Sequence, residues 1–490
     1  MKAWRRPFLG AVAAVAIAAT GACTPVRNPA TGDTQYTSMS PAQEAAIGKD
    51  EHPKVLAEFG GAYADPALQA YVERVGRSLG QVSELKDQTF TFTVLDSDVV
   101  NAFALPGGYV YVSRGLLALA DNEAELAGVL GHEIGHVTAR HTAQRYDRAM
   151  LGQLGSLGAA ILGGVLLGDA GAQMGQQVGS LGATAYVQGF SRSQELEADQ
   201  LGIRYMARAG YDPEAMVSFL DAMDGYGALN RQLSGRSEET PTWLASHPRA
   251  RDRVRDAAQT AEAQAGQGRV ESAAYMSAVD GMIFGDSPEQ GHVRGNVFVH
   301  PKLDFRFEAP AGFKLVNTPA AVLGKGPRGQ IMRFDAASAK SADPAAYLTQ
   351  EWAAKLQPQN LRRFEANGRP AATATAPVAI NGKKTQALLA AVAMGEGRMY
   401  RFVFASPQLG ADSAAFEGVV RSLRRLTAAE RADAVPLRIR IHTVQPGDTI
   451  DGLARRMQVD EAAREWFVLL NGLQDGRLVP GQKVKLVVRG

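Results

Sequence analysis

The chain has 490 residues, 46% of them hydrophobic, which is enough for two to four domains with buried cores. Its 52 basic and 50 acidic residues leave a formal charge of +2, so nothing in the balance argues for nucleic acid as a partner. One cysteine, Cys23, excludes an intrachain disulfide.

Lys2, Arg5 and Arg6 precede an apolar run from Phe8 to Ala19, and together they predict a secretory signal over residues 1–22, too short for a spanning helix. The small residues before Cys23 resemble a bacterial lipobox, which implies that Cys23 becomes lipid-modified and N-terminal. Thr20 departs from the leucine-like residue of that pattern, and this leaves open ordinary signal-peptidase cleavage nearby. Thr24 is not the aspartate that retains lipoproteins in the inner membrane, so the resemblance implies an outer-membrane anchor. Residues 23–39, rich in Pro, Asn, Thr, Gly and Ser, are expected to form a polar tether.

Residues 40–275 read as one mainly helical domain with a small sheet. Helical patterning begins near Ser40 and continues through Ala64 to Val75. Thr89 to Leu95 alternates as a strand with one buried face, and Tyr109 to Ser113 is a second strand entered through Pro106-Gly107-Gly108. Asn101 to Val112 is the candidate edge for holding a substrate backbone by strand addition, with Asn101, Ala102 and Tyr109 as contact residues; an ordinary hairpin is the alternative.

The stretch from Leu126 to Val137 is expected to be a helix, capped by Asp121 or Asn122 and with Glu123 and Glu125 favouring its positive end. Leu126, Val129, Leu130, Ile134 and Val137 recur at helical spacing and bury one face. His132 and His136, four apart, share another face and can hold one ion, while Glu133 can take a proton from the attacking water. This is the H-E-x-x-H arrangement of zinc metallopeptidases. A third ligand is needed. The metzincin position for it is Thr142 here, and His141, one residue short, is expected to point off the metal face. Downstream, Glu195 and Asp199 share a helical face, so one can bind zinc while the other orients a ligand histidine. Glu197 is read as solvated.

Residues 151–185 are Gly- and Ala-rich and are expected to form a buried or lid-forming helical pair over the site, with a membrane span as the alternative. Ser246-His247-Pro248 follows a polar stretch, and His247 is a candidate for the site. It can fill zinc's open position in a resting state or hydrogen-bond the developing oxyanion. Arg249, Arg251, Arg253 and Arg255 are read as a solvated helix face.

Taken together, Asn101 to Gly108, His132 to His136, Ser191 to Asp199 and Ser246 to Pro248 resemble the CAAX-prenyl-protease/HtpX-like zinc peptidases. Within them the chain is similar to the periplasmic BepA-like branch, and the resemblance covers roughly residues 40 to 260. It implies one Zn²⁺ per chain held by His132, His136 and Glu195, with Glu133 as general base and Asp199 orienting His132. It also implies unfolded or misassembled envelope proteins as substrates, hence a periplasmic enzyme anchored at the outer membrane through Cys23. The rival from another class is a non-proteolytic chaperone or peptidoglycan-tethered scaffold with a self-blocked zinc site.

Beyond Gly285 short strands and turns predict a separate α+β domain over residues 285–428, with helices near Ala345–Leu356 and Ser413–Arg424 and no evident chemistry. Residues 438–490 resemble a single LysM module of βααβ order. Its helical part is a few residues too long, which leaves peptidoglycan binding and a packing role both open. The fold class expected for the whole chain is therefore α+β multidomain.

Overall fold

A computed structural model describes residues 24–37, 39–145, 147, 189–234, 247, 250–263, 268–380, 383–395, 397–459, 461–473 and 476–490. The signal segment, Cys23, the Gly/Ala-rich stretch 151–185, Ser246 and Pro248 lie outside the described residues. The chain divides into two compact units, Met1–Met282 with Arg438–Val488, and Ile283–Leu437 with the last two residues. Among the described residues no helix is long and apolar enough to cross a membrane.

The first unit opens with a difference from expectation. Residues 24–37 form an antiparallel hairpin of β1 (Thr24–Arg27) and β2 (Thr34–Thr37), not an extended tether. The buried Asn28 Oδ1 accepts from Ala30 N at 2.8 Å and closes the turn, as short polar side chains do. Helix α1 (Pro41–Glu58) starts in a capping box made by Ser40 and Gln43, and α2 (Pro66–Gly80) is capped by Asp65. A three-stranded sheet follows, built from β3 (Thr91–Leu95), β4 (Ala102–Leu105) and β5 (Tyr109–Ser113) in the order β3-β5-β4. The β4–β5 turn needs two left-handed residues, Gly107 and Gly108 at φ 83° and 89°, a conformation open to glycine at little cost. β3 runs parallel to β5, so β4 is an edge strand, and it packs against the H-E-x-x-H helix.

That helix, α4 (Glu123–Thr138), follows the short α3 (Arg114–Leu119), and its cap is Asn122, whose side chain accepts from Glu125 N. It is buried on every face, Val137 excepted, where periodicity predicts a single buried face. The reason lies in its glycines. A Cβ on Gly131 or Gly135 would stand 3.1 Å from Gly202 O or 3.0 Å from Ala198 O, and one on Gly202 2.8 Å from His132 N. These small residues let α5 (Arg192–Arg208) lie directly on α4. Helices α6 (Glu214–Ser234) and α7 (Ala250–Ala263) pack on this pair, and α8 (Ser272–Val279) closes the helical set.

Residues 438–488 belong to the same unit. Strand β6 (Leu437–Thr443), helices α9 (Ile450–Ala454) and α10 (Ala463–Leu469) and strand β7 (Lys483–Arg489) give a βααβ order with β6 and β7 paired. From β7 the fully buried Lys485 extends its ammonium to Ala118 O at 2.9 Å, Ala120 O at 2.7 Å and Asp121 Oδ1 at 2.9 Å. Trp466 of α10 packs on Tyr226 of α6.

The second unit is a seven-stranded antiparallel sheet. Its spatial order is Lys314–Thr318, Ala321–Lys325, Ile331–Ser338, Arg398–Ala405, Lys383–Gly395, Arg369–Ile380 and Gln359–Ala366. Helix Leu409–Ser422 covers a core of Phe298, Phe305, Phe307, Phe334, Phe402 and Phe404. The helix expected over Ala345–Leu356 is three short pieces, α over Pro344–Ala346, π over Tyr347–Trp352 and 3-10 over Ala354–Leu356.

Candidate metal centre

Four elements meet at one point. α4 contributes His132, Glu133 and His136, α5 contributes Glu195 and Asp199, α7 contributes Arg253, and His247 arrives from the segment before α7. One ligand atom each from His132, His136, Glu195 and His247 lies within 4.8 Å of every other, and all four residues are buried. His132 Nε2 stands 3.0 Å from His136 Nε2, 3.7 Å from Glu195 Oε2 and 3.2 Å from His247 Nδ1. His136 Nε2 is 3.5 Å from Glu195 Oε1, and His247 Nδ1 is 3.0 Å from both Glu195 oxygens.

The hydrogen-bond network assigns the ring protons. His132 Nδ1–H donates to Asp199 Oδ1 at 2.9 Å, which leaves the Nε2 lone pair facing inward. Behind His136, His141 Nε2–H donates to Glu197 Oε2 at 3.1 Å, so its Nδ1 accepts from His136 Nδ1–H at 2.8 Å. His136 Nε2 is then also a bare lone pair. Lone pairs aimed at one another repel unless a cation sits between them. A tetrahedral ion with bonds of about 2.0–2.1 Å has ligand edges of about 3.4 Å, in the range seen here. The donor set therefore fits a metal ion.

Electrostatics sort the carboxylates. Burial pushes Glu133 above the usual carboxylate range; neither of its oxygens has a hydrogen-bond partner among the described residues, and His247 Nε2 approaches no nearer than 3.5 Å. Burial acts in the same direction on Glu195, yet the charges and hydrogen bonds of His247, His136 and Arg253 outweigh it and hold that carboxyl well below its ordinary value. Asp199 is also held low, burial being overcome by Arg253. Burial lowers His136 well below the ordinary histidine range, consistent with a neutral ring. Phe190 stacks on that ring at 3.9 Å between centroids.

Two residues, Glu197 and Arg253, stand differently from the sequence reading, while His141 is off the metal face as expected but lies behind a ligand. His141 offers no atom to the ligand cluster, yet it supports one ligand: α4 ends at Thr138, Arg140 adopts φ +57°, and His141 Nδ1 stands 2.8 Å from His136 Nδ1. Helical spacing no longer holds past Thr138, where the helix ends. Glu197 is not simply solvated, since it pairs with that buried His141. Arg253 is not on a solvated face; it is 1% exposed and lies against Asp199 and Glu195. The run of arginines alone does not single it out; the packing of α7 does, because Ala257 and Ala261 at four-residue spacing are buried and Arg253 shares their face.

The candidate strand residues are divided between the approach to β4, β4 itself and the start of β5. Asn101 N donates to Ser113 Oγ at 3.1 Å, and its buried side-chain amide has no hydrogen-bond partner among the described residues. Ala102 begins β4, and the half-buried Tyr109 stacks on His52. His292 and His300 lie in the second unit, where burial lowers the pKa of each to about 4.

Comparison with known proteins agrees with this geometry. Residues 66–261 match peptidase family M48 and residues 442–487 match the LysM domain. The chain is 34% identical over 233 residues to a beta-barrel assembly-enhancing protease of Yersinia pestis, covering 47% of this chain and 46% of that protein. The Escherichia coli K12 protein of the same name is 33% identical over 233 residues, with the same shares. The mitochondrial metalloendopeptidase OMA1 of Schizosaccharomyces pombe is 30% identical over 233 residues, covering 46% of this chain and 64% of that protein. The chain thus spans about half the length of the bacterial relatives it matches. With the ligand cluster inside the first matched segment, this chain carries a peptidase family M48 domain followed by a LysM domain.

Proposed function

We propose that the chain is an exported zinc endopeptidase that acts on misfolded or misassembled outer-membrane proteins. The observation that carries the chemistry is the convergence of His132, His136 and Glu195 beside Glu133, whose buried carboxylate has no hydrogen-bond partner among the described residues. A buried carboxylate left free of the surrounding network is available to a water proton. Bound zinc would supply Lewis-acid polarisation of the scissile carbonyl and lower the pKa of water towards ~7. Glu133 accepts the proton of the attacking water and passes it to the leaving amide nitrogen, aided by a carboxyl already raised by burial. Asp199 holds His132 in the tautomer that presents Nε2. β4, an edge strand packed on α4, is suited to holding an extended substrate; Ala102 opens it, Asn101 immediately precedes it, and Tyr109 opens the neighbouring β5.

The names of the bacterial relatives support a β-barrel precursor as the substrate class. The signal-like residues 1–22 and Cys23 support a periplasmic protein lipid-anchored to the outer membrane, and the LysM domain supports peptidoglycan as a partner. Digestion of an unfolded β-barrel protein by wild type and Glu133→Gln tests the chemistry. Glu133→Gln should keep the metal and lose turnover by several orders of magnitude; equal cleavage by both would refute the base assignment.

A second reading concerns His247. Because its Nδ1 lies within the ligand cluster, it supports a resting enzyme whose fourth position is filled by His247 until substrate arrives. Carried further, the same contact supports the non-proteolytic alternative, a chaperone or scaffold with a permanently blocked site. Absence of any cleavage by wild type and by His247→Ala, both zinc-loaded, would favour that alternative.

A further inference from the structure

We propose that Arg253 is the positioning residue of the metal centre, holding Asp199 and Glu195 in the orientation that prepares His132 and Glu195 to bind the ion. The inference rests on the zinc-peptidase reading of the site. Arg253 Nε donates to Asp199 Oδ2 at 2.7 Å and Nη2 to Asp199 Oδ1 at 2.6 Å, a fork-to-fork pair. Its third nitrogen, Nη1, stands in ion-pair contact with Glu195 Oε2 at 2.7 Å. Asp199 Oδ1 is also the atom that accepts from His132 Nδ1–H at 2.9 Å. One planar side chain, 1% exposed, therefore sets two carboxylates on adjacent turns of α5 and, through one of them, the ring of His132.

Charge makes the same demand. Glu133, Glu195 and Asp199 are all at most 2% exposed, and three buried carboxylates without compensation are prohibitively costly. Arg253 supplies one positive charge and a divalent ion two, which brings the cluster to neutrality. Geometry nevertheless distinguishes Arg253 from a mere counter-charge. A lysine carries the same charge but lacks the planar fork, so it cannot grip both oxygens of Asp199 while touching Glu195. A simple nearby cation would repel the incoming ion, and its removal would tighten metal binding. A positioning residue acts in the opposite direction.

The test is zinc affinity, measured by competition with a chromogenic chelator on the full chain, together with the visible spectrum of the cobalt-substituted protein. Wild type must first bind one zinc; if it binds none, the zinc-peptidase reading itself fails, whatever Arg253 does. Given that binding, Arg253→Lys should weaken zinc about 10- to 100-fold, as loss of partners behind metal ligands does, and should alter the cobalt spectrum. Wild-type affinity and spectrum in Arg253→Lys, or tighter binding in Arg253→Met, would overturn the inference. Because Arg253→Met alone strands buried carboxylates, Asp199→Asn/Arg253→Met, which removes both members of the forked pair, keeps the question open to measurement. If Arg253 acts through Asp199, adding Arg253→Met to Asp199→Asn should cost less zinc affinity than adding it to wild type. Full additivity would refute action through Asp199. The rise in melting temperature on adding zinc should shrink in Arg253→Lys; a purely structural role would lower the metal-free and zinc-loaded temperatures equally.

Discussion

Replacing Lys485 by Met should loosen the LysM domain from the helical unit and fray the start of the metal-binding helix. The side chain is fully buried; its ammonium donates to Ala118 O and Ala120 O and stands in ion-pair contact with Asp121 Oδ1. Methionine fills similar volume without replacing any of these bonds. Breaking a buried ion pair from one side costs about 3–5 kcal/mol, because the partner is left uncompensated. Asp121 keeps a side-chain exposure of 20% and can recover some hydration, which puts the cost at the lower end, about 3 kcal/mol. That is a factor of roughly 150 in the opening equilibrium. Amide hydrogen exchange reads it directly. Protection over residues 438–488 and over 118–126, which include the Asn122 cap, should fall by about two orders of magnitude. Asp121→Asn combined with Lys485→Met should recover much of the loss, since no charge is then stranded. A change under about fivefold in Lys485→Met would refute the buried-pair reasoning and make the LysM domain a loosely attached module.

His247→Ala should retain zinc and show raised, less selective cleavage of an unfolded substrate; zinc retention with turnover lowered roughly 100-fold would identify an oxyanion donor instead. Glu125 is pushed up to about 8 by burial and by the neighbouring charge of Asp121. Its folded form therefore binds the proton more tightly than an unfolded carboxyl near ~4.3, and the stabilisation is full below that value and lost as pH rises through 8. The urea midpoint of wild type should fall between pH 5 and 8.5 relative to Glu125→Gln; parallel profiles would contradict this. Cys23→Ser should move the protein into the soluble envelope fraction, and continued membrane association after a high-salt wash would argue against the lipid anchor.

Helical spacing alone places His132 and His136 on one face, because four residues make about one turn, and it likewise pairs Glu195 with Asp199. The short strands beyond Gly285 were legible too, as local patterns of apolar residues and turn formers, and the resemblance to a LysM module implied the βααβ order near the C-terminus. What the sequence by itself could not determine was every relation that depends on where a chain turns or which neighbour covers it. His141 reached His136 only because α4 stops and Arg140 takes a left-handed conformation. Glu197 then acquired a buried partner that no periodicity announces. Arg253 looked like one of four alternating surface arginines, and only the packing of α7 on α5 buried it against carboxylates distant in sequence. Lys485, an ordinary basic residue on a strand, became a buried strut because Asp121 and two carbonyl groups wait for it some 365 residues away. Local chemistry writes periodicity into the sequence; burial and charge pairing belong to surfaces that exist only once distant segments have met.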